Sequence, residues 1–159
     1  MRDGLLSLRQ PGTYMIIMRL SAPAQLDIGR MAHVSLAAGR YGYIGSALGP
    51  GGLGGRMQHH LGTIAIPHWH IDYLRAVAQC EQVWVCAQAQ GREHAWADLL
   101  VQWSDVSVAV PAFGTSDCRC ATHLFRWETL PNVHKFQRRV LEHYPRDAPV
   151  LAFGNRLRR

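Results

Sequence analysis

The stretch GRYGYIGSALGPGGLGGRMQHHLG, residues 39–62, decides the fold. From Arg40 to Ser46 the residues suit a strand, and its period of two puts Tyr41, Tyr43 and Gly45 on one face. The LGPGGLGG run is a turn through which no helix could continue. From Leu53 to Leu61 the pattern becomes helical, and Arg56 and His60, four apart, share one helical face. Strand, glycine-rich elbow and helix therefore set phenol, guanidinium and imidazole close together.

Working outward, GTYMIIMRL at 12–20 is apolar and β-branched after a Pro-Gly turn, which predicts a buried strand. A short strand is expected at 32–36. Pro67 ends the element before HWHIDYL. A strand is predicted over 82–87, and a helix over 92–103 with Ala95, Trp96, Leu99, Leu100 and Trp103 on its buried face. Strands at 106–110 and 123–128 and a basic helix at 133–143 complete the pattern. The order predicts an α+β domain, a small mixed β-sheet flanked by helices.

The chain has 159 residues, 48% of them hydrophobic, which suits one compact domain with a core. Lys and Arg number 17 against 11 Asp and Glu, a net charge of +6 that favours a polyanionic partner, nucleic acid first. A solvated basic surface is the plainer reading of the same charge. Lys135 is the one lysine among those basic residues. Arginine's planar fork suits bidentate phosphate contacts, although a high-GC coding bias would give the same excess. The opening MRDGLLSLRQPGTY lacks a signal-like charged-then-apolar run, and no apolar stretch approaches the ~20 residues of a membrane span. Four scattered cysteines make no disulfide framework. A cytoplasmic protein with no membrane partner is expected.

GTY at 12–14, YIG at 43–45, Arg56 with His60 on the next helix, and Glu93 opening a later helix together resemble the GIY-YIG nuclease superfamily. YGYIGSALGPGGLGGR, HWHIDYL and FGTSDCRCATHLF resemble one uncharacterised branch of it, members of which in archaea can be fused to a DNA-repair glycosylase/lyase. The matches cover roughly residues 11–127. Thr13 stands where the superfamily name has Ile, and the glycine-rich elbow lengthens the step from YIG to Arg56. The resemblance implies a nuclease domain over 1–130, followed by a basic helix and tail over 131–159. It also implies a metal-dependent endonuclease that hydrolyses DNA in repair or in processing of structured DNA, with a DNA-repair enzyme as a further partner.

Phosphodiester hydrolysis needs water deprotonated, the charge at phosphorus stabilised and the departing 3′ oxygen neutralised. The resemblance assigns Glu93 to a single Mg²⁺ or Mn²⁺, a hard ion that suits one carboxylate plus waters and phosphate oxygens. Arg56 would grip non-bridging oxygens, and Tyr43 would be the general base with Tyr14 beside it. An unperturbed phenol, of pKa about 10, is a poor base, so a nearby cation must favour phenolate. His60 could relay a proton or contact phosphate. Gly45 would let strand and helix approach closely, and the elbow glycines suit a backbone passing near phosphate or turning into a helix N-terminus. Each of these residues also has a structural reading: the tyrosines as sheet packing, Arg56 and His60 as a solvated face, Glu93 as a first-turn acid favoured by the helix dipole.

Arg40, His59, His70, Arg138 and Arg139 are the residues expected to contact nucleic acid, and Arg156, Arg158 and Arg159 extend the basic tail. In a strand His68 and His70 would share a face and could bind metal, and Asp72 could hold an imidazole or an arginine; a buried polar network accounts for the same residues. Cys118, Cys120 and His123 are compatible with Zn²⁺, with Asp117, Cys86 or His134 as a fourth ligand. Their Cys-x-Cys spacing is tighter than the usual zinc pattern, which favours a rigid loop held by Ser116 and Asp117 beside the cleft. Two other readings stand beside the nuclease: a non-catalytic nucleic-acid-binding module of the same fold, and a metal- or thiol-regulated protein centred on that loop.

Overall fold

The computed structural model describes residues 2–29 and 33–154. Its elements run α1 (Arg2–Leu6), β1 (Gly12–Leu20), β2 (Ala24–Asp27), β3 (His33–Leu36), β4 (Gly39–Ala47), α2 (Gly52–Leu61), α3 (His70–Arg75), β5 (Gln79–Ala87), α4 (Glu93–Val101), β6 (Ser107–Val108), β7 (Leu124–Trp127), α5 (Val133–His143) and β8 (Val150–Gly154). The α+β class is as expected. Six strands form the main sheet in the order β6-β7-β4-β1-β5-β8, and β2 and β3 make a separate hairpin.

Where a mixed sheet was expected, every pairing described is antiparallel. The helical connection between β4 and β5 suggests parallel neighbours, and those two strands do run the same way. However, β1 lies between them and pairs antiparallel with both. This central position explains the unbroken apolar run of β1, which is buried on both faces.

Each face of the sheet carries its own helical layer. On one face Tyr14, Ile16 and Met18 pack with Leu53 and Met57 of α2 and Ile71 and Leu74 of α3. On the other, Met15, Ile17 and Trp84 pack with Trp96 and Leu100 of α4 and Phe136 and Val140 of α5. Residues 133–154 belong to this same core. The ring of Phe136 lies 4.9 Å from that of Trp96 and 5.3 Å from that of Trp84, and β8 extends the sheet beyond β5. The buried face of α4 is Trp96, Ala97 and Leu100, with Trp103 just beyond; Ala95 and Leu99 are only partly covered.

Four elements differ from the sequence reading, the first being β2, which was not expected. HWHIDYL enters helix α3 rather than a strand. The Asp72 carboxylate accepts the backbone amides of His68 at 2.9 Å and Trp69 at 3.0 Å and so fixes the helix start. β8 and α1, both short, carry too few residues for a periodic signal. Residue 32 of the expected 32–36 strand lies outside the described residues, as do Arg156, Arg158 and Arg159.

The glycine-rich elbow docks on the chain itself rather than framing an open phosphate cradle. The Leu53 amide donates to the Gln10 carbonyl at 2.9 Å and the Gly54 amide to the Leu8 carbonyl at 2.6 Å. Gly52 has φ +59°, and a Cβ there would overlap the carbonyls of Arg9 and Gln10. The first-turn N–H groups of α2 thus find protein acceptors, which answers the usual shortage of partners at a helix start.

Candidate active site

Tyr14 leaves β1 toward α2, and its phenol oxygen lies 2.7 Å from His60 Nε2. Both side chains are buried. Tyr14 pairs across the sheet with Gly45, and a Cβ at Gly45 would overlap the Tyr14 ring and hydroxyl. Gly45 therefore makes room for a phenol on the neighbouring strand, not for a strand–helix approach. Tyr43, two residues back on β4 and on the same face, places its ring 6.2 Å from that of His60 and 6.1 Å from that of Phe113.

On α2, Arg56 and His60 share one face as expected and bracket Trp69. The Arg56 guanidinium carbon lies 4.8 Å from the Trp69 ring centre, and the His60 ring lies 5.5 Å from it. Among the described residues Arg56 has no carboxylate within ion-pair distance. Its fork is fixed by stacking and remains open to an anion. His60 is not part of a solvated face. Burial, and then the charges of His59, Arg75 and Arg56, push its imidazole down to about 3, so it is neutral at physiological pH.

Glu93 is the first residue of α4, as expected. Its Oε1 lies 2.9 Å from His123 Nδ1, and it borders a cavity of about 250 Å³ lined by Ser46, Leu48, Gly91, His94 and Ala95. Burial works to raise the carboxyl pKa, but hydrogen bonds from His123 and Ser46 outweigh it and hold the group ionised below its ordinary range. Glu93 also reaches the phenols electrostatically. Burial raises both phenol pKa values well above 10. The negative charge of Glu93 adds to the effect and the positive charge of Arg56 opposes it. Arg56 thus acts in the direction expected of a cation beside Tyr43, but burial and Glu93 outweigh it, so this guanidinium alone does not favour the phenolate.

The segment between β6 and β7 walls this site. The Gly114 amide donates to His70 Nδ1 at 3.0 Å, and Gly114 itself, at φ +72°, packs between Tyr43 and His123. The bonds that hold the loop come from Thr115 and Thr122 hydroxyls and from the main chain, not from Ser116 or Asp117. His123 Nε2 lies 3.4 Å from Cys118 Sγ. His94, Cys118, Cys120 and His123 converge there, so the fourth member is His94 and not Asp117, Cys86 or His134. Cys86 lies in the other core layer, where its thiol meets the Ala148 carbonyl.

The residues expected to contact nucleic acid fare differently. His59 sits at the rim, its Nε2 3.4 Å from Asp72 Oδ1 and its ring 4.4 Å from Trp69. Asp72 thus meets an imidazole, that of His59, and an arginine, Arg75, at 3.7 Å. His70 is engaged by Gly114 and begins α3, so it shares no strand face with His68. Arg40 is paired with Glu81 at 3.3 Å. Arg138 and Arg139 are exposed on α5, which packs on the opposite face of the sheet from the phenols, and Arg139 lies 5.5 Å over Trp103. The sequence reading missed Trp69, Ser46 and His94, and it missed the use of the Thr13 hydroxyl.

The fold and this cluster define a small antiparallel α+β domain whose polar residues gather at one end of its three central strands. The chain belongs to the family described as Domain of unknown function DUF123, whose model matches residues 13–146. That span contains all the site residues named above. No curated protein and no solved structure matches the chain.

Proposed function

We propose that this domain is a divalent-metal-dependent endonuclease that hydrolyses phosphodiester bonds in DNA, acting in the cytoplasm in repair or processing of structured DNA. One observation carries the reading: the Tyr14–His60 pair, Tyr43, the unpaired Arg56 guanidinium and the ionised Glu93 carboxylate act on one another from four separate elements. The ordered GTY, YIG, Arg-x3-His and Glu motifs and the basic net charge agree with it.

In this reading the stacked Arg56 fork binds non-bridging phosphate oxygens and meets the charge that builds as water adds to phosphorus and the P–O3′ bond breaks. Tyr43 donates a hydrogen bond to a phosphate oxygen while it remains protonated. Neutral His60 draws the Tyr14 proton across the bond they share, and the Tyr14 phenolate so formed takes the proton that the attacking water gives up. Glu93 suits Mg²⁺ or Mn²⁺, being an ionised carboxylate beside an open cavity that leaves room for water ligands. An ion held there would supply Lewis-acid charge to the departing oxygen and offset the carboxylate that now disfavours Tyr43 phenolate.

The test is incubation of folded protein with supercoiled, branched and single-stranded DNA in Mg²⁺ or Mn²⁺. Metal-dependent nicking that is lost in Glu93→Ala and Arg56→Ala supports the proposal, and absence of nicking on all three DNAs counts against it. A non-catalytic DNA-binding module is the second reading, favoured by the burial that raises both phenol pKa values. Salt-sensitive binding without cleavage selects it.

A further inference from the structure

The start of α4 and the loop before β7 bring together side chains that the proposed hydrolysis does not use. The ligand atoms of His94, Cys118, Cys120 and His123 all lie within 4.8 Å of one another. We propose that these four residues form a closed Cys₂His₂ zinc site, with Glu93 as the outer carboxylate that orients His123. The site stands whether or not the chain cleaves DNA.

The donor set is the first argument. Two thiolates and two imidazoles are a standard structural zinc set. Bonds of about 2.3 Å to sulfur and about 2.0 Å to nitrogen place tetrahedral ligand atoms roughly 3.3–3.8 Å apart. Cys118 Sγ and His123 Nε2 already stand 3.4 Å apart, so only a small contraction of the cluster closes the tetrahedron. Two thiolates balance the charge of Zn²⁺, which leaves a neutral site in a partly buried position.

The orientation of His123 is the second argument. This imidazole is 1% exposed. One nitrogen faces the thiol, and the other faces Glu93 Oε1 at 2.9 Å. A ligating histidine whose second nitrogen meets a carboxylate is the usual outer-shell arrangement around zinc.

The backbone supplies the third. The Cys-x-Cys spacing is shorter than the usual zinc loop, but the chain folds back on itself to compensate. The Ala112 amide donates to the Ala121 carbonyl and the His123 amide to the Phe113 carbonyl, each at 2.8 Å, while the Cys118 amide donates to Thr115 at 3.2 Å. Ala112 takes φ +60° to make this turn, a left-handed conformation that non-glycine residues rarely adopt. The hairpin carries both cysteines to His123, and α4 adds His94 from a different part of the chain. With four protein ligands no position is open, so the ion is structural and ties the Glu93 end of α4 to the loop that packs on Tyr43.

The experiment is elemental analysis of protein purified under reducing conditions, followed by Co²⁺ titration of the chelator-treated chain. The expected result is zinc stoichiometric with the chain and, with Co²⁺, a thiolate-to-metal charge-transfer band. His94→Ala and Cys120→Ser should weaken metal binding strongly, and Glu93→Gln by about 10–100-fold. If the cysteine variant does not fold, the Co²⁺ titration of the unaltered chain decides. Folded, reduced protein that holds no zinc and gives no charge-transfer band overturns the site. Unchanged affinity in His94→Ala overturns the four-ligand assignment. Loss or retention of DNA cleavage bears on neither result.

Discussion

The Thr13 hydroxyl accepts the backbone amide hydrogen of Arg92 at 2.8 Å. Thr13 thus holds the start of α4 and, one residue on, Glu93. Thr13 is fully buried, so a variant without the hydroxyl leaves an amide unsatisfied. Thr13→Val should destabilise the fold by about 1–3 kcal/mol, whereas Thr13→Ser should cost less. Urea unfolding midpoints of the two variants check this. If the nuclease reading holds, cleavage should fall in Thr13→Val more than the stability loss alone accounts for.

Gly45 and Tyr14 form a second testable pair. Any Cβ at position 45 overlaps the phenol, and an overpacked core position typically costs about 1–3 kcal/mol. Gly45→Ala should therefore destabilise the protein, and the cost should shrink in a Tyr14→Ala background. A double-mutant cycle by denaturant unfolding measures the coupling. Additive effects would mean that the ring moves aside freely.

His60 makes stability depend on pH. Its pKa is about 3 in the fold and about 6.5 in the unfolded chain. Between those values the unfolded chain binds a proton that the fold does not, so stability rises with pH across the window. It is lost as pH falls below about 6.5, by roughly 2 kcal/mol on reaching pH 5. Asp72 and Glu93, whose folded pKa values are depressed, add to the loss in the same direction but only below about pH 4. Unfolding midpoints between pH 7 and 5 should therefore fall in the native chain and fall less in His60→Gln, where His70, whose pKa burial also lowers, still contributes in the same direction.

Arg56 is expected to matter through its shape. If the nuclease reading holds, Arg56→Ala should lower cleavage by about 10²–10³-fold, the typical loss for a donor aimed at transition-state charge. Arg56→Lys should restore little, because a point charge lacks the planar fork. Arg138→Ala combined with Arg139→Ala, on the far layer, should leave the rate unchanged. Initial nicking rates for the three variants separate these outcomes.

The long, periodic elements were legible in the sequence because each carries its own signal: the alternation of β4, the apolar run of β1, the elbow that stops one element and starts another. The α+β class and the positions of Tyr14, Tyr43, Arg56, His60 and Glu93 follow from them. Relations across the chain were not legible. That Gly45 serves Tyr14 depends on the β1–β4 register, and that His94 joins Cys118 depends on how α4 meets a distant loop. The protonation of Tyr43 depends on burial, which no motif reports. HWHIDYL misleads because its alternating histidines mimic a strand, whereas the carboxylate of Asp72 turns the segment into a helix.

The seat of α2 has an evolutionary consequence. The carbonyls of Arg9 and Gln10 crowd against Gly52, while both of those residues are exposed to solvent. Mutational drift is therefore tolerated on one side of this contact and barred on the other. Related chains should vary freely at positions 9 and 10 and keep glycine at 52, so that the helix bearing the guanidinium is preserved by a partner whose own spelling can change.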